Sequence, residues 1–374
     1  VLHFGNTKFT VEQKAMQEDG CAIENPEVVQ HACSIWGVDY DTVSRSLTSK
    51  IIGTRTLTVV PYTVAQATDA RDAMVKRVYS GLFQHMVDCI NSVLSASGKT
   101  RHKFIGVLDI FGFESFEVNS FEQLCINYCN EKLQFHFNEH IFRLESALYK
   151  AEGITISSTS FADNQPTLDL LDLKVTGIFS MCDEEINVPR GSDDGMLQKI
   201  LQKHGGKHPN LIRPKGKDCK DNLKCFGINH YAGPVFYNVS NFLDKNKDQV
   251  HVDILSALKT STDPLMKILF AEKEEAVSAA PSRGRGGGKK ASKTLGAQFK
   301  AQLNELMETL NSTNPHFVRC MKSNDQKAGN IFAAGRMQDQ LRYAGLVEVC
   351  RIRKLGYPVR VDAESFFRKF KCIY

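Results

Sequence analysis

Residues 104–126, FIGVLDIFGFESFEVNSFEQLCI, decide how the rest of the chain is read. The stretch opens with an apolar run, 104–108, followed at once by an acid, Asp109. A short apolar run bounded by turn signals suits a fully buried strand. Buried parallel strands end at a sheet's carboxyl edge, where ligands bind. An acid at that edge is placed to meet the magnesium of a nucleotide. Gly112, bracketed by Phe111 and Phe113, has no Cβ, so its N–H can approach a phosphate closely. Glu114 follows, and then a long helical pattern. Ser120 and Gln123 fit the S-x-x-Q capping box. The helix they start is expected to reach about Lys150, roughly 45 Å at 1.5 Å per residue. Tyr128, Phe135, Phe137, Ile141 and Phe142 face several directions, as in a helix buried by several partners. Taken alone, the run ending in Asp also describes an ordinary core strand, and the helix an ordinary core helix.

The chain has 374 residues, 47 basic and 42 acidic, for a net charge of +5. Such a length supports a large core and several subdomains. No signal peptide or bilayer-spanning apolar run is present. The 11 Cys are scattered, without a C-x-x-C pair. Cys125 and Cys129 share a helix face but have no partners at zinc spacing. All are expected to be reduced thiols of a cytosolic protein.

Residues 25–47 carry helical spacing behind Pro26. Residues 51–68 suit an exposed loop or irregular ribbon. Residues 70–97 repeat apolar side chains at helical steps and are expected to bury one broad stripe. Gly98-Lys99-Thr100 is not a phosphate loop, because that motif needs a Gly where Val93 stands. Gly98 reads instead as a helix cap. Residues 226–237, FGINHYAGPVFY, read as two strands around Ala-Gly-Pro. Residues 241–273 are helical with a break near Pro264, and 295–310 form an amphipathic helix. Residues 317–321 read as a second buried strand, and 337–355 as a helix ended by Gly356 and Pro358. Residues 272–293 are of low complexity, and 283–300, with six basic residues and no acid, is expected to bury too little apolar surface to order itself.

The string DIFGFE (109–114) with NSFEQLCINYCNEKLQ after it resembles the second switch and relay helix of the myosin motor domain. RDAMVKRVYSGLF (71–83), DNQPTLDLL (163–171), GIFSMCDEE (177–185), HYAGPVFY (230–237), FLDKNKD (242–248), NPHFVRCMK (314–322) and QLRYAG (340–345) resemble further segments of that family, in the family's order. The resemblance implies an α/β fold of the P-loop NTPase type, with a twisted mixed central sheet flanked by long helices, here as an incomplete fragment. It implies that 1–100 are part of the upper side of an actin cleft, with an actin-contacting loop at 51–68. Residues 101–270 would hold the second switch, the relay helix and the lower side. Residues 271–293 would be a basic surface loop, and 294–374 the last sheet strand, the hinge helices and the start of the converter.

By that resemblance the function is an ATP-dependent, actin-based cytoskeletal motor of the cytoplasm. Asp109 would stand near Mg2+ through water. Gly112 would offer its N–H to the γ-phosphate of ATP. Glu114 would pair with the Arg of another switch. Neither a G-x-x-x-x-G-K-[ST] run nor an N-x-x-S-S-R switch occurs in the sequence. The chain alone is therefore expected to have no ATPase activity. Its first residues, VLHFGNTKF, lack Met, and both ends are expected to be cuts through a larger protein. A light chain or calmodulin is expected on a lever beyond Tyr374.

Actin contacts implied by the resemblance are Val188, Pro189 and Arg190 at a helix-loop-helix tip, Lys203 and Lys207 in a basic patch, and Arg283, Arg285, Lys289, Lys290 and Lys293 in the surface loop. Thr56, sixteen residues before Asp72, falls where the family has an acidic or phosphorylatable residue. It is expected to contact actin and to be phosphorylated. RGRGGG could also suggest RNA, but it has no stacking platform beside it, and no nucleic-acid partner is expected. Ile156 stands where many members have Trp, Tyr343 and Arg353 where muscle-type members have reactive Cys, and Ser323 where Pro is usual. These departures point to an unconventional class. The rival readings are a catalytically dead actin-binding module and another phosphate-loop ATPase sharing only the switch.

Overall fold

The computed structural model describes residues 1–12, 20–52, 58–94, 103–154, 164–216, 224–247, 252–271, 294–355, 357 and 359–373. Thr56, Gly98, Ile156, the basic run 283–293, Gly356 and Pro358 lie outside them. A 3-10 turn (Phe4–Asn6) precedes β1 (Phe9–Glu12), β2 (Gly20–Ile23), α1 (Pro26–Trp36), α2 (Tyr40–Thr48), β3 (Ser49–Ile52), β4 (Thr58–Pro61) and α3 (Val64–Leu94). Then come α4 (Phe121–Ala151), α5 (Gln165–Asp172), α6 (Ile178–Asn187), α7 (Asp193–His204), β5 (Leu211–Ile212), β6 (Cys225–His230), β7 (Gly233–Asn238) and α8 (Phe242–Lys247). The chain continues through α9 (Val252–Lys259), α10 (Pro264–Leu269), α11 (Leu295–Asn311), α12 (Ala334–Tyr343), α13 (Leu346–Leu355) and α14 (Ala363–Phe370). These divide into two units, residues 1–106 with 248–292, and residues 107–247 with 293–374.

In the first unit, Pro26 opens α1 and Gly37 ends it with φ +59°. A side chain there would meet Thr262 Oγ1 at 2.6 Å. The break starts a second helix, which Asp39 caps by accepting from Thr42 N at 2.8 Å. The antiparallel hairpin β3–β4 occupies the region expected to be a loop or ribbon. The core joins Phe4, Trp36, Val43, Leu47, Met74 and Val78 to Ile254, Leu258 and Met266. Helices α9 and α10 thus pack in this unit, whereas the sequence division groups them with 101–247. Helix α3 buries Ala67, Ala70, Met74 and Val78, a narrow line. Beyond it Tyr79, Phe83, Met86, Ile90, Val93 and Leu94 are exposed. The single broad buried stripe is not formed, because among the described residues nothing covers that half.

The second unit is built round α4. Phe121 meets the rings of Phe242 at 5.5 Å and Phe179 at 6.3 Å, both edge-on. Leu124, Tyr128, Leu171, Ile200, Phe226 and Tyr237 complete the core. The strands β5-β6-β7 form one small antiparallel sheet, with the two strands of FGINHYAGPVFY as expected. Gly345, with φ +70°, separates α12 from α13, so the helix expected over 337–355 is two.

Both expected buried strands are absent. Residues 103–116 form neither strand nor helix, and Ile105 and Val107 are 98% and 95% exposed. Residues 314–322 are likewise unpaired, with Val318 exposed. A strand's backbone groups need neighbouring strands, and the described residues hold only the three small antiparallel sheets. Phe317 is held instead by stacking on Phe137 of α4 at 4.7 Å, with Arg319 over the same ring at 4.8 Å. The α/β class stands, but no large central sheet occurs among the described residues.

Asp172 ties α5 to its neighbours. It accepts from Tyr128 Oη at 2.6 Å and pairs with Lys300 at 2.5 Å and Lys132 at 3.1 Å. Burial opposes its charge, but Lys300, Tyr128 and Lys132 outweigh that and hold its carboxyl below the usual range. A depressed carboxyl stabilises the fold above the unfolded pKa of about 3.9, and that contribution is lost as pH falls through the folded value. Asp172→Asn is therefore expected to lower stability at neutral pH and to flatten its fall below about pH 4. Urea unfolding across pH checks this; an acid limb as steep as in the parent chain would contradict it.

Candidate functional site

The site grows from the first turns of α4. Gln123 Oε1 accepts from Ser120 N at 3.0 Å, so the helix starts where the capping box placed it. The Ser120 hydroxyl receives Lys245 Nζ at 2.9 Å. Just upstream, Asn119 donates to the carbonyls of Phe116 at 3.0 Å and Phe236 at 3.1 Å, and accepts from Phe116 N at 2.8 Å. Phe113 is buried among rings, 5.4 Å from His230 and 5.5 Å from both Tyr231 and Tyr343. Glu114 N donates to Asn127 Oδ1 at 2.9 Å, and Asn127 Nδ2 returns to Glu114 O at 2.7 Å. Asn130 Nδ2 holds the Phe111 carbonyl at 3.0 Å.

These anchors leave a corner facing solvent. Asp109 and Gly112 are exposed. A Cβ added at Gly112 would meet nothing within 4 Å. Glu114 is half-buried, and its Oε2 accepts from Gln123 Nε2 at 3.3 Å. The three residues expected to act together therefore lie on one short pinned segment. Among the described residues no group of three or more His, Cys, Asp or Glu could hold a metal ion. A single carboxylate suits Mg2+, which keeps several waters and is bound through one or two carboxylates plus substrate phosphates. The donor set fits an ion brought by a phosphate chain, not a resident one.

Behind the corner lies a buried network that the sequence reading did not single out. Asn127 Nδ2 also donates to Tyr237 Oη at 2.9 Å, and Tyr237 Oη lies 2.8 Å from His230 Nε2. His230 Nδ1 meets Glu131 Oε1 at 2.9 Å, both side chains being 0% exposed. Glu131 also accepts from Asn164 Nδ2 at 2.6 Å and from Tyr231 N at 3.0 Å. Burial pushes the phenols of Tyr231 and Tyr237 well up. Tyr231 Oη in turn donates to the Tyr343 carbonyl at 2.8 Å, at the end of α12. A signal for the network was available: Glu131 falls on the same helical line as Phe121, Leu124 and Tyr128, which makes it an acid on a core stripe.

Further along α4, Tyr149 Oη accepts from Tyr357 N at 2.8 Å. Arg360 pairs with Glu145, and Arg353 Nε lies 3.8 Å from the same carboxylate. The far end of the long helix is thus tied to the segment after α13 by Tyr and Glu.

The tip at residues 188–192 joins α6 to α7. Arg190 has φ +62°, and Gly191 N donates to Val188 O at 2.9 Å. Ser192 N donates to Glu185 Oε1 at 3.2 Å, and Lys199 pairs with Glu185 at 2.7 Å. That hydrogen bond from Lys199, more than any other cause, holds the Glu185 carboxyl below its usual range. Val188, Pro189 and Arg190 are exposed on this braced turn, and Lys203 and Lys207 are exposed near the end of α7. Thr56, Arg283, Arg285, Lys289, Lys290 and Lys293 lie outside the described residues.

The thiols depart from expectation at one place. Cys225 is disulfide-bonded, so the chain does not carry only free thiols. Spacing alone had no means of showing this pair. Cys125 is pushed up to about 12 and Cys129 to about 11, both by burial, so neither is a reactive thiolate.

The sequence profile described as "Myosin head (motor domain)" matches residues 1–374. Unconventional myosin-Va of Homo sapiens is 40% identical over 393 residues, which cover 100% of this chain and 21% of that protein. The high molecular weight form of myosin-1 of Acanthamoeba castellanii is 40% identical over 374 residues, 99% of this chain and 23% of that protein. Myosin-VIIa of Drosophila melanogaster is 40% identical over 375 residues, 99% of this chain and 16% of that protein. The chain spans less than a quarter of the length of these relatives. With its whole length matched, it belongs to the myosin head (motor domain) family, whose α/β fold is of P-loop NTPase type.

Proposed function

We propose that this chain is part of an ATP-dependent, actin-based cytoskeletal motor working in the cytoplasm. The observation that carries this reading is the exposed Asp109–Gly112 corner, pinned by the Glu114 backbone on Asn127 and the Phe111 carbonyl on Asn130 to the first turns of a 31-residue helix. Mg2+-ATP, when bound, supplies the phosphoanhydride whose cleavage drives the cycle. Asp109 would hold the ion through water. Gly112 N–H would be offered to the terminal phosphate, and Glu114 would pair with the Arg of another switch to close the corner around the attacking water. A shift at Gly112 is felt by Asn127 and Asn130, and so by α4. Through Tyr231 and Gly345 it reaches the hinge helices α12 and α13, and through Tyr149 and Glu145 the segment after them. Phosphoryl transfer depends on positioning and charge stabilisation, so the chain without a phosphate loop has no turnover of its own.

The first unit supplies part of the upper side of the actin cleft, and α6–α7 the lower tip. Val188, Pro189, Arg190, Lys203 and Lys207, with the basic residues 283–293, meet acidic actin. A light chain or calmodulin binds beyond Tyr374. Cosedimentation tests this: the chain is expected to pellet with actin filaments, less so as salt rises, and to release no phosphate above background. Failure to pellet at low salt, or actin-stimulated turnover, would contradict it.

Thr56 is the proposed regulatory phosphorylation site, because a phosphate adds about −1.5 to −2 charge at an actin-facing loop. Thr56→Glu and Thr56→Ala are expected to differ severalfold in actin affinity. Equal affinities would remove Thr56 from the account.

A further inference from the structure

The buried network behind the corner has one consistent proton direction, and the Glu114 backbone fixes it. Main-chain groups cannot exchange roles. Glu114 N donates to Asn127 Oδ1 at 2.9 Å, and Glu114 O accepts from Asn127 Nδ2 at 2.7 Å. The NH2 of Asn127 is thereby turned toward Tyr237 as well, whose Oη accepts from it at 2.9 Å. Burial pushes the Tyr237 phenol well up, so the hydroxyl keeps its proton. That proton needs an acceptor, because a buried donor left unpaired is costly. Among the described residues the acceptor within reach is His230 Nε2, 2.8 Å away. A neutral ring that accepts at Nε2 carries its proton on Nδ1. Nδ1 faces Glu131 Oε1 at 2.9 Å. Glu131 ends the chain as an acceptor, also taking the Tyr231 amide at 3.0 Å and Asn164 Nδ2 at 2.6 Å. Asn127, Tyr237 and the side chains of His230 and Glu131 are fully buried.

We propose that His230 and Tyr237 are positioning residues for Glu114, holding Asn127 in the one orientation that grips the Glu114 backbone. Neither touches the reacting atoms. Glu131 keeps the ring proton on Nδ1. A proton moved to Nε2, or a second proton on the ring, would set two donors against the Tyr237 oxygen and loosen Asn127. The consequence for catalysis rests on the proposed role of Glu114; the proton direction does not.

In the chain itself, nitrogen and carbon NMR of labelled histidine is expected to show His230 as the neutral Nδ1–H tautomer. A ring protonated at Nε2 would overturn the proposal, and this measurement needs no variant to fold. Tyr237→Phe keeps the ring and removes the hydroxyl. It is expected to speed exchange of the Glu114 amide about tenfold, the worth of one hydrogen bond; unchanged exchange in the folded variant would overturn the proposal. In the complete head, Tyr237→Phe and His230→Leu are each expected to slow single-turnover ATP hydrolysis about tenfold with ATP binding unaltered, less than the hundredfold that a 1 Å misplacement can cost. His230→Gln, which can donate to Glu131 and accept from Tyr237, is expected to recover most of the rate. An equal fall in ATP binding, or no recovery with Gln, would assign both residues to the fold alone and overturn the proposal. A parent head without hydrolysis would overturn the role of Glu114 itself, while the tautomer and the amide exchange still decide the proton direction.

Discussion

Glu131→Ala is expected to lower the unfolding free energy of the chain by about 3–5 kcal/mol, the usual cost of breaking a buried pair from one side. Glu131 is fully buried and takes contacts from His230, Asn164 and the Tyr231 amide. Its removal leaves His230 Nδ1 and the Tyr231 amide without that acceptor, while Asn164 Nδ2 keeps the Glu131 carbonyl at 2.9 Å. The His230 ring would then keep only Tyr237. The damage would spread along the network, because Tyr237 is shared with Asn127, which holds Glu114. Glu131→Gln keeps the volume but sets an NH2 against donors, so a smaller loss, about 1–3 kcal/mol, is expected. Urea denaturation of the chain measures both. A loss below about 1 kcal/mol for the Ala variant, the range of exposed ion pairs, would mean that the network is solvated.

The long helix was legible because its signals are local. A capping box at Ser120 and Gln123 fixes the start, and helical spacing continues to the last turn. The hairpin of residues 225–238 was legible for the same reason, with Ala-Gly-Pro between two apolar runs. Two apolar runs misled. Residues 104–108 and 317–321 have the composition of buried strands, but composition does not supply a neighbouring strand, and both lie open or lean on α4. The packing of α9 and α10 with the first unit was invisible too, since a contact such as Ile51 N to Asp253 Oδ2 joins residues 202 apart. At the candidate site the motif placed Asp109, Gly112 and Glu114 on one segment. It said nothing of the Asn127–Tyr237–His230–Glu131 chain, whose members come from separate elements and meet only through folding. The disulfide at Cys225 escaped for a related reason, because pairing is a property of loop closure.

Gly112→Ala isolates the proposed contact between the Gly112 N–H and a terminal phosphate. The glycine is not among those with positive φ, and an added Cβ has open space around it. The fold of the chain thus gives Ala no strain and no clash, and its urea midpoint should stay unchanged. In the complete head the added methyl would stand where the phosphate must approach. Loss of one backbone donor to a developing anion costs about 10²–10³ in rate. The deciding measurement is single-turnover ATP hydrolysis by the complete head carrying Gly112→Ala. A fall of about a hundredfold or more with unaltered folding is expected; hydrolysis at the parent rate would mean that the Gly112 N–H does not meet the phosphate.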